Sequence, residues 1–230
     1  MQPGHQLLSR LALAGMIHPI LFLGSSLVLG AVRPGYEPLR DAISELGEQG
    51  AANALVWNIG GFGVAALLYA MYAVAIRAGF GPGWLFRLTV AQAILAASSG
   101  LFSCDPGCPP VPQSPTMLLH TIVGLTYFAI TTVLPLVAWR TFRQRAEWRP
   151  FAPPSLAVGV VLIALFLIGP ALGADRVGVW QRVVLLIAYA WQIAVAFRLH
   201  RLLKRTDDAD AAGRPEQLAP DTGGPAPRGA

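Results

Sequence analysis

Six long apolar stretches take up most of the 230 residues and leave the chain few folds to choose from. They run Leu7–Gly30, Ala54–Ile76, Trp84–Ser103, Met117–Trp139, Pro154–Gly173 and Val179–His200. A helix of roughly 20 apolar residues crosses a bilayer core about 30 Å thick. Lipid gives backbone N–H and C=O groups no partners, so runs of this length satisfy themselves as helices. The expected fold class is all-α, a six-helix transmembrane bundle. The chain divides into a membrane domain over residues 1–205 and a tail over 206–230. The tail is rich in Asp, Pro, Gly and Ala, which offer too little apolar surface to offset ordering, and so it is expected to be a disordered cytoplasmic segment.

Hydrophobic residues make up 54% of the chain and charged residues 13%, about half the share usual in a soluble domain. The net charge of +5 could suit nucleic acid, but its placement excludes that use. Basic residues gather at alternate connections: Arg77 and Arg87 at loop two, Arg140, Arg143, Arg145 and Arg149 in loop four, and Arg198, Arg201, Lys204 and Arg205 after span six. The positive-inside rule then puts both termini in the cytoplasm and loops one, three and five outside. Trp57 and Trp180 near outer ends, with Trp84, Trp139 and Trp148 near inner ends, fit an aromatic belt. Sixteen arginines to one lysine, with abundant Ala and Gly, point to a GC-rich bacterial genome and a plasma membrane. The first run exceeds a signal core of about 7–15 residues, and Leu29 spoils a small-residue cleavage site before Ala31, so an uncleaved helix is expected.

Two connections carry local signals. In loop one, Pro38 suits a helix start and Gly47 the position after its end. Leu39, Ala42, Ile43 and Leu46 fall on one face between them and Arg40, Asp41, Ser44 and Glu45 on the other, which predicts a short extracytoplasmic amphipathic helix. In loop three, Cys104 and Cys108 enclose Asp105-Pro106-Gly107 on the side where disulfides persist. Zinc would need two more ligands, with only His120 near, so a disulfide is expected and no metal or cofactor.

Polar residues inside spans usually face the bundle interior. His120, Gly124, Tyr127 and Thr131 form one helical stripe; Thr89, Gln92, Ser99 and Ser103 form another. Span six adds Gln181, Tyr189 and Gln192, and span one places His18 in line with Ser25. Together they outline a polar seam opening outward near His120, Asn58 and Gln181, or else interhelical hydrogen bonds with no ligand. The candidate ligand-binding set is Asp41, Ser44, Asn58, Gln92, Asp105, His120, Tyr127 and Gln181. Asp41 and Glu45, four apart, form either a carboxylate pair with divided acid and base roles or a solvated face.

The stretch from Arg33 to Gly47, then Gly100-Leu-Phe-Ser-Cys-Asp105, then Leu119-His120 with Gly124 and Phe128, resembles the DUF998 family of multi-spanning membrane proteins. The likeness runs nearly to span six; Glu37 stands where that family commonly has Asp, and Ser103 where it commonly has Pro. It singles out Asp41, Ser44, Glu45, Asp105 and His120 and implies no reaction. The leading functional reading is a protein that binds or handles a lipid or small amphiphile in an outward-facing polar cavity, with membrane lipids as partners. The alternative is an intramembrane hydrolase or acid-base catalyst on a lipid-like substrate, with Asp41, Glu45 or Asp105 as acid or base and His120 as their partner. No nucleotide loop, nucleophile motif or internal repeat of a transporter stands out.

Overall fold

The computed structural model describes residues 4–212, and every regular element among them is helical. Six helices are long and apolar enough to cross a membrane. They are α1 (Gly4–Val32), α2 (Ala54–Phe80), α3 (Trp84–Leu101), α4 (Pro115–Arg143), α5 (Ala152–Ile168) and α6 (Val177–Ala212). Their apolar centres are the runs visible in the sequence. The fifth run stops short because Gly169 and Pro170 turn its end into a 3-10 helix, Gly169–Leu172, and proline has no N–H to continue an α ladder. Helix α6 continues to Ala212; the rest of the expected tail lies outside the described residues.

Each helix packs on its chain neighbour, and α6 returns to α1, where its contact is far more extensive than with α5. The bundle thus has two ends. The terminal end carries both ends of the helical domain with loops two and four, and the loop-one end carries loops one, three and five.

The terminal end is filled by aromatic rings. Trp148 stacks on Phe142 with centroids 4.7 Å apart and lies 4.8 Å from Phe80. Arg145 donates to Gly79 O at 2.6 Å and Phe80 O at 3.1 Å, satisfying carbonyls that the end of α2 leaves free. Trp148, expected in the interfacial belt, is instead core at 2% exposure, and Trp57 is wholly buried beneath loop one. Both indoles cover apolar surface that the loops fold over.

Loop one differs from the sequence expectation. Instead of an amphipathic α-helix starting at Pro38 and ending before Gly47, a turn closed by Arg40 and Asp41 N–H groups on Glu37 O leads into a 3-10 helix, Ile43–Gly47. Tertiary partners take the hydrogen bonds an α-helix would have used. Leu39 O accepts from Val179 N–H at 2.9 Å and Arg40 O from Gly178 N–H at 3.0 Å, capping free donors at the start of α6. Ile43 N–H donates to Gln181 Oε1 at 2.8 Å rather than back to Leu39. Arg182 donates to Asp41 O at 3.1 Å and to Tyr36 Oη at 2.7 Å. Such bonds contribute about 1 kcal/mol each, and more where the donor is charged. Two residues trade places as a result: Leu39 is 70% exposed and Asp41 only 8%, while Ala42, Ile43 and Leu46 are buried as the apolar face was expected to be. Gly178 permits the close approach, since a Cβ there would stand 2.5 Å from Asp41 O.

Helix α2 opens with a π-helical stretch, Trp57–Gly63, containing three glycines. Such wide turns are frequent at functional sites because they re-aim side chains. Here Trp57 faces the bundle core and Phe62 a cavity.

Candidate functional site

A partly open pocket lies in the loop-one half of the bundle and encloses about 560 Å³, its mouth included. All spans but α5 contribute: Phe22 from α1, Phe62 and Ala65 from α2, Ala96 and Ser99 from α3, His120, Gly124, Tyr127 and Phe128 from α4, and Gln181 and Leu185 from α6. Ile43 and Ser44 come from loop one. The α4 residues recur at helical spacing, so one face of that helix forms a whole wall. At Gly124 a Cβ would meet nothing within 4 Å.

The polar groups of the pocket are oriented from behind. His120 Nδ1 lies 2.6 Å from Phe102 O. A carbonyl only accepts, so this partner assigns the proton to Nδ1 and leaves the lone pair of the neutral ring on Nε2. Gln181 Oε1 is held by Ile43 N–H, which fixes its amide and leaves Nε2 without a protein acceptor among the described residues. Ser44 Oγ lies 3.6 Å from Cys108 Sγ. The Tyr127 hydroxyl is 3.0 Å from that of Tyr69 and 3.2 Å from that of Tyr189.

Those hydroxyls link the pocket to a much smaller cavity lined by Gln92, Thr131, Tyr69, Tyr189 and Gln192. Gln92 Nε2 donates to Thr131 Oγ1 at 3.1 Å. His18 packs 4.1 Å from the Tyr69 ring, and Gln192 donates to Gly15 O at 2.9 Å, so this deeper network ties helices together.

The loop-one carboxylates border a different cleft, about 370 Å³ in volume, with Arg33, Tyr36, Arg40 and Glu48. There the acids have internal partners. Asp41 accepts from Arg40 Nε at 2.6 Å and Glu37 N–H at 2.7 Å, and Glu45 from Ala42 N–H at 2.7 Å. Glu48 pairs with Arg33 and accepts Gly107 N–H at 2.6 Å. Burial pushes the Asp41 carboxyl upward, but the bonds from Arg40 and Glu37 outweigh it and hold it below the usual aspartate value. Burial, reinforced by the charges of Asp41 and Glu48, raises Glu45 above its usual value despite the Ala42 bond.

Loop three clasps this end. Cys104 and Cys108 stand at disulfide distance, with Cα atoms 5.2 Å apart. Gly107 at φ +75° makes the turn that points its N–H at Glu48. Asp105 accepts from Ser114 Oγ at 2.6 Å and Gln113 N–H at 3.1 Å, while Ser114 Oγ caps α4 through Met117 N–H. Asn58 Nδ2 bridges Ser103 Oγ and Gly47 O.

Of the candidate residues, Ser44, His120, Tyr127 and Gln181 meet in the pocket. Gln92 lies deeper, Asn58 and Asp105 brace loops, and Asp41 and Glu45 face the charged cleft. Among the described residues, no group of three or more His, Cys, Asp and Glu side chains is placed to hold a metal ion.

Residues 16–198 match a family model described as "Protein of unknown function (DUF998)". The chain belongs to the DUF998 family. No curated protein and no solved structure matches it. The DUF998 match spans every wall of the pocket and the charged cleft. Within this DUF998 chain, sequence reasoning missed the apolar walls Phe22, Phe62 and Leu185 and the buried Arg182. Phe128 had a signal, since it continues the His120–Gly124 stripe; the others are indistinguishable in sequence from lipid-facing or surface positions.

Proposed function

We propose that this protein binds or handles a lipid or small amphiphile in the pocket of its loop-one half, on the extracytoplasmic side of a bacterial plasma membrane. The charge asymmetry between alternate loops supports that orientation, with both termini cytoplasmic. The observation that carries the reading is the pocket's composition: aromatic and aliphatic walls with a few convergent hydrogen-bonding groups, the usual make-up of a small-molecule site. The test is native mass spectrometry of protein released from membranes, comparing wild type with Gly124→Leu. The expected result is a discrete lipid-like adduct on wild type that Gly124→Leu lacks. Identical adducts on both, or none on either, would reject the reading.

Acid-base catalysis on a lipid-like substrate is a second reading, favoured by one observation. His120 is anchored through Nδ1 at the pocket wall, the arrangement that leaves Nε2 free to take a proton. It ranks second because Asp41, Glu45 and Asp105 are engaged elsewhere. Turnover of an adduct from the first experiment, abolished in His120→Ala, would promote it.

A further inference from the structure

We infer that the head group this pocket takes is uncharged and presents a hydroxyl donor beside a carbonyl or ether acceptor, as in a monoacylglycerol. This rests on the amphiphile reading above and names its ligand class. No Lys, Arg, Asp or Glu lines the pocket. The nearest cation along α6, Arg182, lies outside the pocket lining and donates through Nη1 and Nη2 to Asp41 O, Gly178 O and Tyr36 Oη, with only its buried Nε lacking a partner among the described residues. The carboxylates belong to the separate cleft and have partners of their own. A phosphate or carboxylate moved here from water would lose its hydration without gaining a counter-ion, and an ammonium would find no acid; a neutral hydroxyl needs only hydrogen bonds.

The pocket supplies those bonds in both senses. Gln181 Nε2 offers donors, since its oxygen is already held by Ile43 N–H. His120 Nε2 offers an acceptor, since Nδ1 is held by Phe102 O. Ser44 adds a hydroxyl from loop one. A lone carbonyl would leave the His120 acceptor unused, and a head with donors only would leave the amide unused. A head with both satisfies the set, while Phe22, Phe62 and Phe128 give a hydrocarbon chain its surface.

The experiment measures binding of probes sharing one oleoyl chain, by native mass spectrometry of the full chain in nanodiscs. The probes are mono-oleoylglycerol, its diacetyl ester, oleate and oleoyl-lysophosphatidylglycerol. Gly124→Leu serves as the occupied-pocket variant, because its side chain enters open space rather than a packed wall. Expected is mono-oleoylglycerol binding at least tenfold tighter than either anion, weakened roughly fivefold by acetylation, the loss of about one hydrogen bond, and abolished in Gly124→Leu. Anion binding of equal or greater strength that Gly124→Leu abolishes would overturn the neutral-head inference and leave the amphiphile reading standing. No Gly124→Leu-sensitive binding of any probe would overturn both.

Discussion

The two halves of the bundle use similar residues to opposite ends. At the terminal end, Phe80, Phe142 and Trp148 stack ring on ring, and Arg145 seals the backbone above them. At the loop-one end, Phe22, Phe62 and Trp57 also pack ring against ring, and Phe128 packs on Trp180, but Phe22, Phe62 and Phe128 border a space as well. What differs is what comes down on the rings. Loop four brings its own tryptophan into the terminal core, whereas loop one, bonded to the start of α6, covers Trp57 with Leu46 and presents Ile43 and Ser44 to the cavity. Both ends are rich in rings, and only the loop-one end leaves room beside them.

The comparison breaks most readily at the closed half. Trp148→Ala should cost about 3–5 kcal/mol, as removal of a fully packed large ring does. Phe128→Ala, half-buried at the pocket wall with Trp180 on one side and space on another, should cost less, because fewer contacts are lost. Chemical unfolding in detergent measures both, and equal costs would mean that the pocket is as well packed as the core. Next in size is Gly178→Ala. Its Cβ would press on Asp41 O and Pro38 O, and a strained contact of this kind costs about 2 kcal/mol. Hydrogen exchange should then rise over residues 37–49 and stay unchanged at Trp148; a uniform rise would show that loop one is not a separately tethered unit.

Gly124→Leu sharpens the contrast from the other side. It should leave stability within about 0.5 kcal/mol of wild type while removing the pocket. The smallest effects lie in the charged cleft. Glu45, raised in the fold, favours folding below its ordinary value of 4.5, and that contribution is lost as pH climbs through the raised value. Glu45→Gln should therefore stabilise at pH 7 and make no difference below 4.5. Asp41, lowered in the fold, contributes above 3.8 and loses that contribution as pH falls through its lowered value. Asp41→Asn should be weaker than wild type at neutral pH, with the deficit closing in acid. Melting curves across pH read both signs; a reversal at Asp41 would refute the hydrogen bonding assigned to it, and a reversal at Glu45 would refute the dominance of burial and like charge there.

Much of this was legible in the sequence, and for a physical reason. Twenty-residue apolar runs have one solution in lipid, so the spans could be read directly, and the α4 stripe of His120, Gly124 and Tyr127 follows from helical period alone. Loop one was not legible because its fate was set at long range. Pro38, Gly47 and the alternation between them are good helix signals, but Gly178, Val179, Gln181 and Arg182 supply better partners from 140 or so residues away in the chain. The same interactions separated Asp41 and Glu45 from His120, since each carboxylate is bonded within its own loop. Spacing along a helix could not reveal that, because the segment is not an α-helix. Phe22 and Phe62 were invisible as site residues, because an aromatic ring facing lipid and one facing a cavity look alike in sequence.

The most direct test of the account is an electron cryo-microscopy map of the protein extracted into nanodiscs with its native lipids. Elongated density is expected between Phe22, Phe62 and Phe128, ending within hydrogen-bond reach of Gln181 Nε2 and His120 Nε2. A pocket closed by movement of Phe128 or loop one, with no density between those rings, would contradict it.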